Sequence, residues 1–309
     1  MDISQLRTLI HVAELGSLSK ASDRLHIAQP ALSRQIRLLE QELGARLFDR
    51  HGRGMIATEQ GQDVLRHALR VMAELEEIRA VVADEDAPLR GHVSIGMPPT
   101  VSDILSEPLV SAFKETHPDA TLRIVSAYSG YLLDWLHRGE VDAAILYDPK
   151  SARTLRTHPL LEETLFLIGP SNLGLSQSSP IAFSQLENYR LLLPSSGHGL
   201  RAILGRLAEE CSIVLNVKVE ADSYSTLKSL VRSGHGVTVL PLAPIHEELS
   251  NGSLCAAPLV DPVPVRRLIM SYPTDRPTPR LARFAGQVIA TTIETLVQRG
   301  IWPGRVVMA

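Results

Sequence analysis

The stretch HIAQPALSRQIRLLEQELG, residues 26–44, sets a proline near the start of an unbroken helical pattern and a glycine at its end. Proline fits the first turn of a helix, where its missing N–H has no partner to lose. Glycine readily takes the left-handed conformation that stops one. The pattern predicts a helix of about four turns. At about 100° per residue, Ala31, Leu32, Ile36, Leu38, Leu39 and Leu43 share one side, with Gln35 and Glu42 intruding at its margin. Gln29, Pro30, Ser33, Arg34, Arg37 and Gln41 share the other. The N-terminal half of that polar side holds glutamine, serine and two arginines, and the acids Glu40 and Glu42 fall in the second half. Such a face suits a major groove. Glutamine pairs bidentately with adenine, arginine with guanine, and serine with a base or a phosphate. A lone helix of this kind is more readily read as a wetted face, so its neighbours decide.

Upstream, DISQLRTLIHVAEL repeats Ile3, Leu6, Leu9/Ile10 and Ala13 at a helical period, and Gly16 ends it. Ser17 or Ser19 caps a short helix, SKASDRLH, which buries Ala21 and Leu25. The tight turn His26-Ile27-Ala28 then gives a helix-turn-helix arrangement. Downstream, ARLFDRHGRGMIAT reads as two short strands around a glycine-rich tip at residues 51–54. Arg50 and Arg53 stand at that tip, within reach of phosphates or a minor groove. From Arg24 to Arg53 there are six arginines against three acids, so this region is basic although the chain carries a net charge of -3.

Thr58 can cap a further helix, and Glu59 suits its first turn. Leu65, Ala68/Leu69, Met72, Leu75, Ile78 and Val82 recur every three or four residues, and no proline intervenes before Pro88. One reading packs this amphipathic helix on its own domain. Its length, and its place between two differently built regions, favour an exposed linker that pairs with a second chain.

At 309 residues the chain exceeds one comfortable core. No apolar run reaches the roughly 18 residues of a membrane helix, and the N-terminal MDISQLRTLI has no basic segment followed by an apolar core. A cytoplasmic protein without membrane partners is expected. Cys211 and Cys255 are too few and too far apart for a zinc site or a disulfide framework, leaving two ordinary thiols or a redox switch. No metal site and no cofactor are expected.

After residue 91 apolar strands alternate with helices: HVSIGM, TLRIVSAY, DAAILY, LFLIG, RLLLP, VLNVKVEA, VTVLPL and RRLIMSY are separated by segments such as DILSEPLVSAFKETH and YSTLKSLVRSG. This rhythm predicts α/β units with a largely parallel sheet, in two lobes. Strands crossing between the lobes are placed near 148–162 and 264–268, and a C-terminal helix at about 279–298 returns to the first lobe. Ligands of such folds bind where strand ends meet helix starts. Those junctions carry Thr100 or Ser102, then Ser129 and Gly130, then Ser195, Ser196 and Gly197, with Thr238 and Asp222-Ser223 near the hinge. His198, Arg201 and Tyr131 could add contacts. The hydroxyls either cap their own helices or, with free backbone N–H groups, receive an anion. A small anionic or carboxylate-bearing metabolite is the expected ligand. No GxSxG elbow, P-loop, HExxH or dinucleotide fingerprint is present, and the histidines are scattered, so no catalytic residue and no enzyme is expected.

GSLSKASDRLHIAQPALSRQI, LEQELGARLFDR and ATEQG together resemble the winged helix-turn-helix of LysR-type transcriptional regulators, and the layout behind them matches that family along essentially the whole chain. The resemblance implies a multidomain α+β and α/β protein. Residues 1–58 would form the winged helix-turn-helix and 59–87 the linker and dimerisation helix. Residues 88–309 would be an effector domain of type 2 periplasmic-binding-protein-like fold, with lobe I about 92–161 and 267–299 and lobe II about 162–266. It also implies a homodimer through the linker helix, paired into a homotetramer, binding double-stranded promoter DNA as an activator under a small co-inducer, with RNA polymerase a candidate partner. Carried over by position, Gln29, Pro30, Ser33 and Arg34 face the major groove and Arg50 and Arg53 form the wing, and Arg37 joins them from the helical projection. The rival reading is a cytoplasmic solute-binding module with no transcriptional role. The 58 residues at the N-terminus argue against it.

Overall fold

Helix α1 (Ile3–Leu15) starts on a reciprocal cap, in which Asp2 accepts the Gln5 N–H and Gln5 accepts the Asp2 N–H. Gly16 ends it in the left-handed region. Of the two candidate serines, Ser17 caps α2 (Leu18–Leu25) by accepting the Lys20 N–H. Helix α3 (Gln29–Leu43) follows, then the antiparallel hairpin β1 (Phe48–His51) and β2 (Gly54–Ala57), then α4 (Glu59–Val81). The computed structural model describes residues 1–51, 54–81, 88–147, 154–196 and 198–307. The chain forms two compact units: Met1–Val93 with His117–Thr121 and Pro279–Leu281, and the remainder.

In the first unit the core gathers Leu6, Leu9 and Val12 of α1, Ala21 of α2, Leu32, Ile36 and Leu39 of α3, and Leu47 and Phe48 at the hairpin. The apolar stripe of α3 is narrower than its sequence suggests. Leu38 and Leu43 are 41% and 39% exposed, and Ala31 is exposed too. The cause is geometric: the neighbouring helices cover only the seam at i, i+4 and i+7. Gln35, the polar intruder, is hydrogen-bonded to the buried Thr8 hydroxyl. Glu40 is structural, accepting the Leu47 N–H at 2.8 Å and the Phe48 N–H at 3.3 Å, which ties α3 to the hairpin. Thr58 caps α4 through the Gly61 N–H. A side chain at Gly61 would overlap the Leu47 carbonyl, so the helix starts against the strand only because that residue is glycine.

The two readings of α4 divide along its length. Val64, Leu65, Ala68, Leu69 and Met72 pack on the unit's own core, whereas Ile78 is 60% exposed. Val82 lies outside the described residues.

The second unit holds two sheets with flanking helices. The first has the order β14-β6-β13-β5-β3-β4, with strands β3 (Gly91–Met97), β4 (Ala120–Ser126), β5 (Ala143–Tyr147), β6 (Leu155–Thr164), β13 (Val265–Pro273) and β14 (Gly304–Val306). Helices α5 (Pro99–Thr116), α6 (Ser129–Arg138) and α10 (Arg280–Gln298) belong with it. The second has the order β11-β7-β12-β8, with β7 (Phe166–Pro170), β8 (Ile181–Ala182), β11 (Thr238–Leu240) and β12 (Leu254–Val260). A bridge from Leu191 to Val237 adds the parallel pair β9 (Leu191–Leu193) and β10 (Val217–Glu220), and helices α7 (Gly199–Glu210), α8 (Tyr224–Arg232) and α9 (His246–Ser250) complete this lobe.

A largely parallel sheet is therefore not what forms. β3 and β5 pair in parallel, but β5, β13, β6 and β14 are successively antiparallel. The reason is the return path. β6 leaves the first lobe and β13 re-enters it, so two long neighbours necessarily run in opposite directions. The Leu165 N–H donates to the Pro264 carbonyl where both strands reach the second lobe.

Candidate nucleic-acid interface and interlobe cleft

Ala28 starts α3 without a side-chain cap, and Pro30 occupies the first turn. Gln29, Pro30, Arg34 and Arg37 are exposed and Ser33 is half-buried. Neither Arg34 nor Arg37 has an ion pair among the described residues, whereas Arg24 is held by Glu14 at 3.0 Å. The face therefore offers two uncompensated guanidiniums and a glutamine on one helix, the chemistry that pairs with purine edges and phosphates. Arg50 lies in β1 with its side chain outside the described set, and Arg53 lies outside the described residues.

The second site is a cleft of about 580 Å³ between the lobes, walled by α5, the β4–α6 turn and the start of α8. Its polar lining is Ser102, Asp103, Ser126, Tyr128, Tyr131 and the run 222–225. Behind it lies a buried charge network. The Arg266 guanidinium pairs with Glu163, donates to the Thr100 hydroxyl at 3.1 Å, and stacks over the Tyr147 ring at 3.9 Å. The indole N–H of Trp302 donates to the other Glu163 oxygen at 2.6 Å. Burial is the largest influence on Arg266 and works against its charge, but the charge and hydrogen bond of Glu163 together with Tyr147 outweigh it, so the Arg266 pKa is raised.

The expected effector residues divide. Ser102 lines the cleft. Thr100 is buried behind it and shares a hydrogen bond of 3.0 Å with the Tyr147 hydroxyl. The Ser129 hydroxyl accepts the Tyr147 N–H at 3.1 Å, and Gly130 is exposed at the start of α6. Ser195 donates its N–H to Asp222 at 2.8 Å, which holds the Asp222 carboxyl below its ordinary range. Ser196 is exposed but not on the lining, and Gly197 lies outside the described residues. Thr238 does not line the cleft: it is 1% exposed, on β11 where that strand pairs with β7, with an unpartnered hydroxyl.

Among the described residues the lining contains Asp103 and Asp222 but no lysine or arginine, and the nearby Arg266 is neutralised by Glu163. At the start of α6 the N–H groups of Ser129, Gly130 and Tyr131 have no acceptor among the described residues, an arrangement that suits an anion. By contrast, His198 and Ser223 cap α7 and α8.

Tyr128 of the first lobe meets His198 of the second edge to face, with ring centroids 4.4 Å apart. The His198 ring nitrogen accepts the Leu200 N–H, and its pKa is pushed down to about 4, first by burial and then by Arg266, against the pull of Asp222. Its ring is thus neutral at pH 7. Sequence reasoning missed Arg266 and Glu163. The available signal was the pair Glu162-Glu163 opposite Arg266-Arg267 on two crossing strands, which the register confirms as neighbours.

The Cys255 thiol donates to the Pro170 carbonyl at 3.0 Å, and Cys211 stands at the C-terminal end of α7. Among the described residues there is no group of side chains that could hold a metal ion, and no helix is long and apolar enough to cross a membrane.

Residues 3–62 match the family model for bacterial regulatory helix-turn-helix proteins of the lysR family, and residues 86–292 match that for the LysR substrate binding domain. The chain is 29% identical over 304 residues to the HTH-type transcriptional regulator BbuR of Bordetella bronchiseptica, covering 98% of this chain and 94% of that protein. It is 31% identical over 261 residues to the nitrogen assimilation regulatory protein of Klebsiella aerogenes, covering 83% and 82% of the two. Among solved structures, a C206 mutant of Corynebacterium glutamicum OxyR matches with a TM-score of 0.70 at 26% identity, covering 96% of this chain and 94% of that one.

Proposed function

The chain belongs to the LysR family of DNA-binding transcriptional regulators, with a substrate-binding domain behind its helix-turn-helix, and from that premise we propose how it reads DNA and what it senses. Residues 1–58 read one half-site, with Gln29, Pro30, Ser33, Arg34 and Arg37 in the major groove and Arg50 and Arg53 on flanking phosphates or the minor groove. Residues 59–87 pair two chains, the exposed Ile78 supporting an unfilled seam, and two such dimers make a tetramer at a promoter, in the cytoplasm, where it activates transcription through RNA polymerase. Residues 88–309 bind a small effector between the lobes.

The observation that carries the effector reading is the pairing of opposite charges in one cleft. The open start of α6 favours a carboxylate, and Asp103 and Asp222 favour a positive group. A small amino-carboxylate satisfies both, and the three lining tyrosines offer faces for its body or its ammonium group. Binding would shift the balance between open and closed lobes, moving the Tyr128–His198 contact and with it the spacing of the DNA readers.

Thermal-shift screening of the full-length protein tests this. Free amino acids should raise the melting temperature, and their N-acetyl and amide derivatives should not. The gain should vanish in Asp222→Asn. Stabilisation by simple dicarboxylates alone would overturn the amino-carboxylate assignment. Footprints of unchanged length with and without saturating effector would overturn the population shift. Failure of the full-length protein to shift DNA from its own upstream region would favour the solute-binding alternative.

A further inference from the structure

A second cavity, of about 550 Å³, lies within the first lobe between α10 and the outer strands β6, β13 and β14. It is separate from the interlobe cleft and shares no lining residue with it. Its existence follows from α10, which turns Gly286 and Ala290 toward the sheet one helical turn apart. A side chain at Gly286 would overlap the Tyr272 hydroxyl, so glycine there lets the tyrosine stand against the helix and leaves room beside it.

The cavity is charged on one side and apolar on the other. Arg156 and Arg283 both line it, and neither has an ion pair among the described residues. Arg156 is aimed by a hydrogen bond of 3.3 Å to the Thr278 hydroxyl. The hydroxyl of Tyr272 makes no hydrogen bond to a described residue, although Arg156 is close enough to oppose the effect of burial on its acidity. Among the described residues Glu294 is the only acid on the lining, and Leu160, Met270 and Val306 supply the apolar floor.

Two unpaired guanidiniums beside an unpaired phenol are a ready receptor for a carboxylate, since charge-assisted hydrogen bonds from arginine are strong and take the planar group bidentately. The apolar floor asks for a hydrocarbon body. We propose that this cavity is a second small-molecule site, specific for monocarboxylates carrying an aromatic ring or a chain of about six to ten carbons. Its chemistry is the reverse of the interlobe cleft, where the lining acids disfavour such ligands. One protein can thus hold two effectors of different classes without competition.

Titration of the full-length protein with 4-bromobenzoate and octanoate tests the proposal, with benzylamine and benzamide as controls. Both carboxylates should bind at submillimolar concentration and neither control should. Arg156→Gln combined with Arg283→Gln should weaken them at least tenfold, and Ala290→Phe should block them by filling the cavity. Variants count only if they melt as the wild type does. The anomalous signal of bromine in a co-crystal should fall between β6 and α10. Undetectable carboxylate binding, equal binding of the amine or amide, unaltered affinity in both variants, or bromine in the interlobe cleft would each overturn it.

Discussion

Along α3 the polar groups stand outward from one continuous helix, while around the cleft they come from three segments between residues 99 and 225, braced by Arg266 and Glu163. The reader carries its chemistry on exposed side chains whose positions are fixed by a small core beneath them. The sensor carries its chemistry over a buried charge network that also holds its architecture. Substitutions on the reader should therefore change DNA affinity without changing stability, and substitutions behind the sensor should do both. Four experiments break or sharpen that contrast.

The largest effect is expected behind the cleft. Glu163→Ala strands the Arg266 guanidinium and the Trp302 indole without their shared acceptor, a loss of about 3–5 kcal/mol for a broken buried ion pair. Denaturant melts of the full-length protein should show this loss, and a wild-type transition would mean the network does not brace the lobe. The second test uses pH. His198 stays neutral in the fold down to about pH 4, whereas its ordinary value is 6.5, so between those values the unfolded chain binds more protons. Stability should fall as pH drops from 6.5 to 4, by at most about 3 kcal/mol. In His198→Asn that share of the pH dependence should disappear. A profile unchanged by the substitution would remove His198 as its cause.

On the reader, Arg34→Ala should cost about 1–3 kcal/mol of specific binding and relax sequence choice at one half-site position, with the melting transition unmoved. Equal loss on specific and random DNA would contradict a base contact. The smallest effect separates the leucines of α3. Leu38→Ala, at an exposed position, should change stability by no more than about 0.5 kcal/mol. At the buried Leu39 the same truncation should cost about 2–5 kcal/mol. Comparable losses at both would mean that Leu38 is covered in the protein, as by a second chain.

How much of each region could be read beforehand differs for the same reason. The ends of α3, its exposed glutamine and arginines, the preceding turn and the hairpin all follow from contiguous residues, because caps, turns and helical faces are decided within a few positions along the chain. Even there, sequence overstated the apolar face, since nothing local tells that the neighbouring helices reach Leu39 but not Leu38. In the second unit, the junctions that open α5 and α6 at residues 99–102 and at Ser129 were visible, but the fates of Thr100 and Thr238 were not. Thr100 is claimed by Arg266, which is 166 positions away, and Thr238 faces a core.

By itself, then, the sequence determined the winged reader, the helix that follows it, and the alternating strands and helices of the second unit, all of which rest on short-range periodicity. Tertiary structure alone decided that the returning strand β13 makes the sheet mixed and that Arg266 is neutralised by Glu163. It also decided that the cleft presents aspartates while the unpaired arginines gather at a different cavity. Charge is counted along a chain, but whether a charge is free depends on what folding places opposite it.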